Sequence, residues 1–179
     1  MTPRTYAGLI LGALLAFNAL GSSASAAVPS PAAIFAKKAA QAGMTEVQLA
    51  GLALRKSTNP EVDAFARRMN ADHSKANAQL MSIAQQQGLT PPNTLGMKNE
   101  ALMHRLQNET GATFDNAYLK SQLPAHRQVL ALFEAEASGG QDPELVRFAK
   151  QTIPTLQEHI AMDKREISKL DSGKRMSMR

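Results

Sequence analysis

Four side chains able to bind a proton or a metal, Glu46, His73, His126 and His159, each interrupt an apolar stripe of helical spacing. Burying such a group without a partner costs on the order of 1–3 kcal/mol. Four of them on four core-facing stripes therefore mark a shared site. Imidazole nitrogen and carboxylate oxygen suit iron, manganese, copper or zinc, and facing helices are where bundles hold such ions. A layer of three histidines and one glutamate could hold a single ion. Asp72, Asp115 and Asp163 are spaced to orient these rings by accepting a second ring N–H.

Other chemistries compete for the same residues. Without a metal, the four groups would form a hydrogen-bonded network in which Glu46 answers a protonated histidine and fixes helix register. Met69 lies four residues before His73 and Met162 three after His159. Thioether with imidazole favours copper, although filling a core is the commoner use of methionine. The Glu-x-x-His signature of dinuclear carboxylate sites is missing, since Asn70, Leu123 and Leu156 stand three residues before the histidines. His104 has no such companions and reads as a surface residue. Tyr118 reads as a core tyrosine with a bonded hydroxyl, or as the neighbour of a redox centre. There is no cysteine nucleophile, no serine in a strand-turn-helix elbow and no phosphate loop.

Four long helices must carry these residues. Ile34, Phe35, Ala39, Ala42, Leu49, Ala50 and Ala53 share a face with Glu46, and that stripe ends near Ser57. Asn59-Pro60-Glu61 then supplies a cap, a first-position proline and a first-turn acid for a helix with His73 on its apolar face, running to about Gln87. Residues 88–95 contain Pro91-Pro92 and must be irregular, and Met97 to about Gln107 leaves room for a short helix. A third long helix begins around Thr113, carries His126 and stops at Ser138-Gly139-Gly140, with Pro124 predicting a kink. Asp142-Pro143-Glu144 repeats the start signal and launches the helix with His159, in which Pro154 predicts a bend. Counting about 1.5 Å per residue puts Glu46 and His73 within about 3 Å in height, and His126 and His159 within about 6 Å. The predicted fold is all-α, a ferritin-like four-helix bundle of two hairpins joined by one long crossover that carries a short extra helix.

Arg4, an apolar run from Leu9 to Leu20 and Ala24-Ser25-Ala26 have the form of a secretory signal peptide over residues 1–26. Residues 27–34 read as a flexible mature N-terminus, 35–170 as the bundle and 171–179 as a basic tail. No later stretch is apolar enough to span a membrane. The absence of cysteine excludes disulfides, thiolate metal sites and a lipoprotein anchor. With 20 Lys and Arg against 15 Asp and Glu, and with no Trp and six of its eight Phe and Tyr placed in core stripes, the chain lacks the basic, aromatic-studded face of a nucleic-acid binder.

Several stretches together resemble a known family. They are Thr45-Glu46-Val47 with Leu49 and Ala53; Asn59-Pro60-Glu61-Val62 through Ala66 and Met69; and Asp72-His73-Ser74-Lys75-Ala76-Asn77. Gly111, Phe114-Asp115-Asn116-Ala117-Tyr118, His126, and Ile153-Pro154-Thr155-Leu156 followed by His159 complete the pattern. The chain is similar over these segments to the secreted bacterial proteins grouped as domain of unknown function 4142, often labelled outer-membrane proteins and placed in the ferritin-like superfamily. That resemblance implies a fold and an envelope location, but no reaction. The family commonly has Asp-His-Glu where this chain has Ala125-His126-Arg127, so both acids are lost.

Two expectations follow. One is a periplasmic or secreted helical bundle of unassigned activity with a mononuclear metal or redox site at mid-height. The other is a metal-free structural or interaction module of the cell envelope, with a protein or cell-wall partner.

Overall fold

The computed structural model describes residues 28–176, and the side chains of residues 28–172. The expected signal peptide lies outside the described residues. Five helices follow in order: α1 (Pro31–Lys56), α2 (Pro60–Gln86), α3 (Met97–Asn108), α4 (Gly111–Gly139) and α5 (Pro143–Met176). None of them is long and apolar enough to cross a membrane.

Three of the long helices begin with the same device, a polar cap followed by proline at a position whose N–H would be orphaned anyway. The Ser30 hydroxyl accepts from the Ala33 N–H at 3.1 Å, and the Asn59 side chain from the Glu61 N–H at 2.9 Å. Asp142 accepts from the N–H groups of Glu144 at 3.0 Å and Leu145 at 2.9 Å. The first cap corrects the sequence reading of residues 27–34: because Ser30 and Pro31 start the helix, residues 31–34 are the first turn of α1. At the other end α5 continues to Met176, so much of the expected basic tail is helical. Both α4 and α5 run unbroken through their internal prolines.

Helices α1 and α2 form one hairpin, and α4 and α5 the other. Phe35 near the start of α1 meets Phe133 near the end of α4, with ring centroids 5.2 Å apart. Gln87 at the end of α2 donates to Asp142 at the start of α5 at 2.8 Å, while Glu61 near the start of α2 pairs with Lys169 near the end of α5. Every neighbouring pair of long helices is therefore antiparallel, and the connection from α2 to α4 must travel the full height of the bundle. It does so along α1. Gln41 donates to the Thr94 carbonyl at 3.4 Å, and Lys56 reaches the carbonyls of Leu106 and Gln107 at the far end. Gly96 turns the connection into α3 at φ +82°, so close to α1 that a Cβ there would lie 2.9 Å from the Gln41 amide.

The core divides in two. One apolar cluster gathers Leu49, Phe65, Met69, Leu106, Phe114 and Tyr118, and the other gathers Phe35, Leu80, Phe133, Leu145, Phe148 and Leu156. Between them in sequence, on every long helix, comes one of the four singled-out residues, so the polar layer separates two apolar halves.

Candidate metal centre

Glu46, His73, His126 and His159 are all buried, none more than 7% exposed. The three imidazoles meet: ring centroids are 5.5 Å apart for His73 and His126, and 5.1 Å for His159 from each of the others. One ring nitrogen from each lies within 4.8 Å of the other two. Glu46 stands next to this group, outside that mutual distance, and acts electrostatically on His126.

Carboxylates hold the outward nitrogens of two rings. His126 Nδ1 donates to Asp163 at 2.8 Å, and His159 Nε2 to Asp72 at 2.9 Å. Each bond fixes a tautomer, so the remaining nitrogen of each neutral ring, His126 Nε2 and His159 Nδ1, presents a lone pair. His159 Nδ1 is buried with no hydrogen-bond partner among the described residues. His126 Nε2 is 3.3 Å from His73 Nε2, close enough for one proton to bridge the two. Two nitrogens bound at about 2.0–2.1 Å to one tetrahedral ion stand about 3.3–3.4 Å apart, so this pair already has the spacing a metal requires.

The charge states agree with that use. Burial, followed by the neighbouring His126 and His159, pulls His73 down to about 3, which leaves it neutral and able to ligate. His159 is also lowered, burial outweighing its bond to Asp72. His126 is subject to the same burial, but the Asp163 bond and the charges of Glu46 and Asp163 raise it overall. Burial raises Glu46.

The sequence-derived assignments fare unequally in the structure. Asp72 and Asp163 do orient histidines, but across the bundle. Asp72 holds His159 and not its neighbour His73, and Asp163 holds His126 and not His159, one turn away on its own helix. Asp115 is a correction: it is buried, but among the described residues it bonds none of the three rings. It precedes His126 by eleven residues on α4, which is about 16 Å along the axis, too far for contact. Tyr118 is also corrected, since its buried hydroxyl has no described partner. Burial, then Glu46 and Asp163, raise its ionisation well above the ordinary value. His104 is exposed. Met69 is fully buried in the apolar half around Phe65, with Met162 packed against that cluster. Gln122 is the residue not singled out from sequence. It is fully buried one turn before His126, and its amide donates to Glu46. Its position on the His126 stripe was the available signal.

No curated protein matches the chain. Among solved structures, a crystal structure of a DUF305 fragment from Deinococcus radiodurans superposes with a TM-score of 0.70 at 17% identity, covering 78% of this chain and 97% of that one. At that identity the likeness concerns the fold alone. The family described as Domain of unknown function (DUF4142) matches residues 18–165, which include all four long-helix positions of the buried layer, and the chain belongs to that family.

Proposed function

We propose that this protein binds one transition-metal ion through His73 Nε2, His126 Nε2 and His159 Nδ1, within an exported bundle of the ferritin-like type. One observation carries the reading: three buried ring nitrogens converge while carboxylates hold the opposite nitrogens of two of the rings. A purely structural network would pair its inward atoms. Here His159 Nδ1, Asp163 Oδ1 and Glu46 Oε2 remain buried and unpartnered among the described residues. Three imidazoles leave a fourth position open, and Glu46 beside His126 offers a carboxylate to whatever occupies it. Among divalent ions, copper and zinc bind such nitrogen sites most strongly. The exported location rests on the leader-like residues 1–26 and on the family resemblance.

The test is to produce the chain without residues 1–26, expose it separately to iron, manganese, copper and zinc, and measure bound metal and melting temperature. One ion per chain is expected. Free ion at 100 times its dissociation constant would add about 2.7 kcal/mol of stability. His73→Ala and His126→Ala should lose the ion. Equal, negligible metal in the parent and both variants would leave the competing role, a metal-free network that fixes helix register in an envelope interaction module.

A further inference from the structure

A long trough lies between α4 and the crossover. Its two halves, about 770 and 630 Å³, share Lys98, Leu102, Ser121 and Gln128, so one runs into the other. It follows α4 from Ala117 to Leu132, which is about 22 Å of helix. Small side chains make the room, because Ala117, Ser121 and Ala125 recur at one-turn intervals on the face of α4 opposite α3. Each half has the volume of a small-molecule site, and the whole has the length of an extended hydrocarbon chain.

The two ends differ in character. At the Ala117 end, Arg105 on α3 and Lys120 on α4 line the trough from opposite sides, with Lys98 farther along. Arg105 and Lys98 are exposed and have no ion-pair partner among the described residues, and Lys120 meets Asp171 only at 3.8 Å. Glu109 is the one acid among the described residues of this half, which is therefore net positive. Toward the other end the walls become aliphatic, with buried Leu95 and half-buried Val129 and Leu132, and exposed Lys38 stands at the rim. Glu46 and Gln122 lie beneath that floor with their unpaired oxygens buried, so neither offers a contact. The cations select an anion and the aliphatic end selects a hydrocarbon body.

We propose that this trough binds one free fatty acid, its carboxylate between Arg105 and Lys120 and its chain running along α4 toward Leu132. Arginine suits such a head, because the paired N–H groups of its guanidinium match the two carboxylate oxygens. An anionic membrane fits less well, since a flat surface would touch the cationic rim and leave the aliphatic walls unused. The site is separate from the metal reading: none of the three histidines lines either half.

Calorimetry with laurate, octanoate and dodecyltrimethylammonium, each kept below its micelle concentration, tests it. Laurate should bind once per chain and shift the amide resonances of Ala117, Ser121 and Ala125. Octanoate, with the same head and a shorter chain, should bind about tenfold more weakly or worse, since each buried methylene is worth about fourfold. The ammonium probe should not bind. Arg105→Glu should weaken laurate about tenfold or more, the loss expected for a charge-assisted pair. Lys150→Glu makes the same change of charge at an exposed position on α5, outside the trough, and should leave laurate affinity unchanged. Both side chains are exposed, so neither substitution puts folding at stake. No laurate binding at millimolar concentration, equal binding of the ammonium probe, equal weakening by the two substitutions, or capture of phosphatidylglycerol vesicles without binding of free laurate would each overturn the proposal, whatever the metal content proves to be.

Discussion

Asp72 is bonded to His159, 87 residues away and on another helix, at 2.9 Å, although its immediate neighbour in sequence is His73. On a helix, adjacent residues point about 100° apart. His73 therefore faces the core while Asp72 turns toward α5, where Arg68, one turn back, also holds its carboxylate.

That cross-helix bond makes Asp72 a positioning residue for the proposed ion. Asp72→Ala should weaken metal binding by roughly 10–100-fold without abolishing it. Competition against a chelator of known affinity measures this, and an affinity within twofold of the parent would remove the role.

The metal-free protein should lose stability in acid through His73. Its folded-state value is depressed from 6.5 to about 3, so between those limits the unfolded chain holds a proton that the folded chain refuses. Stability is then fully present above 6.5 and falls with decreasing pH by about 1.4 kcal/mol per unit for that one site. His126 works in the opposite sense. Its raised value contributes stability below 6.5 that fades as pH rises through the folded value. Urea midpoints between pH 3 and 8 should show an acid limb that is shallower in His73→Phe than in the parent.

Phe148 is 1% exposed in the apolar half that gathers Phe35, Phe133 and Leu145. Phe148→Ala should cost about 3–5 kcal/mol. Metal stoichiometry at a temperature where the variant is folded should not change, and a lost ion would mean that the two halves of the core are coupled through the layer.

Pro124 sits on the exposed side of α4, where it supplies no N–H to the Lys120 carbonyl one turn back. Pro124→Ala should raise stability by about 1–2 kcal/mol, the helical gain being partly offset by a freer unfolded chain. A melting temperature at or below the parent's would show that the proline is needed for the packing beside His126.

The helices and their order were legible because the local signals agreed: a polar cap, proline and first-turn acid at Asn59 and Asp142, and one apolar stripe per helix. The meeting of His73, His126 and His159 was legible for the same reason, since height and face follow from counting residues along a rod. Which carboxylate serves which ring was not. Asp72, Asp115 and Asp163 all lie near a histidine in sequence or on its stripe, and only the interhelical packing decides that Asp72 crosses to His159 and that Asp115 is left three turns away. Gln122 shares the His126 stripe but had no site role in the sequence reading, because an amide on an apolar stripe carries no charge signal. The path of the crossover along α1 was not legible either, because it depends on tertiary contacts such as Gln41 with Thr94.

The antiparallel order of every adjacent helix pair has an electrostatic consequence. The macrodipoles of neighbouring rods oppose one another, and their end charges lie about 20 Å from mid-height, beyond the one turn over which such fields are strong. The buried layer thus feels almost no axial field, and the protonation of its three rings is set locally, by burial, by the rings' effect on one another and by Asp72, Asp163 and Glu46.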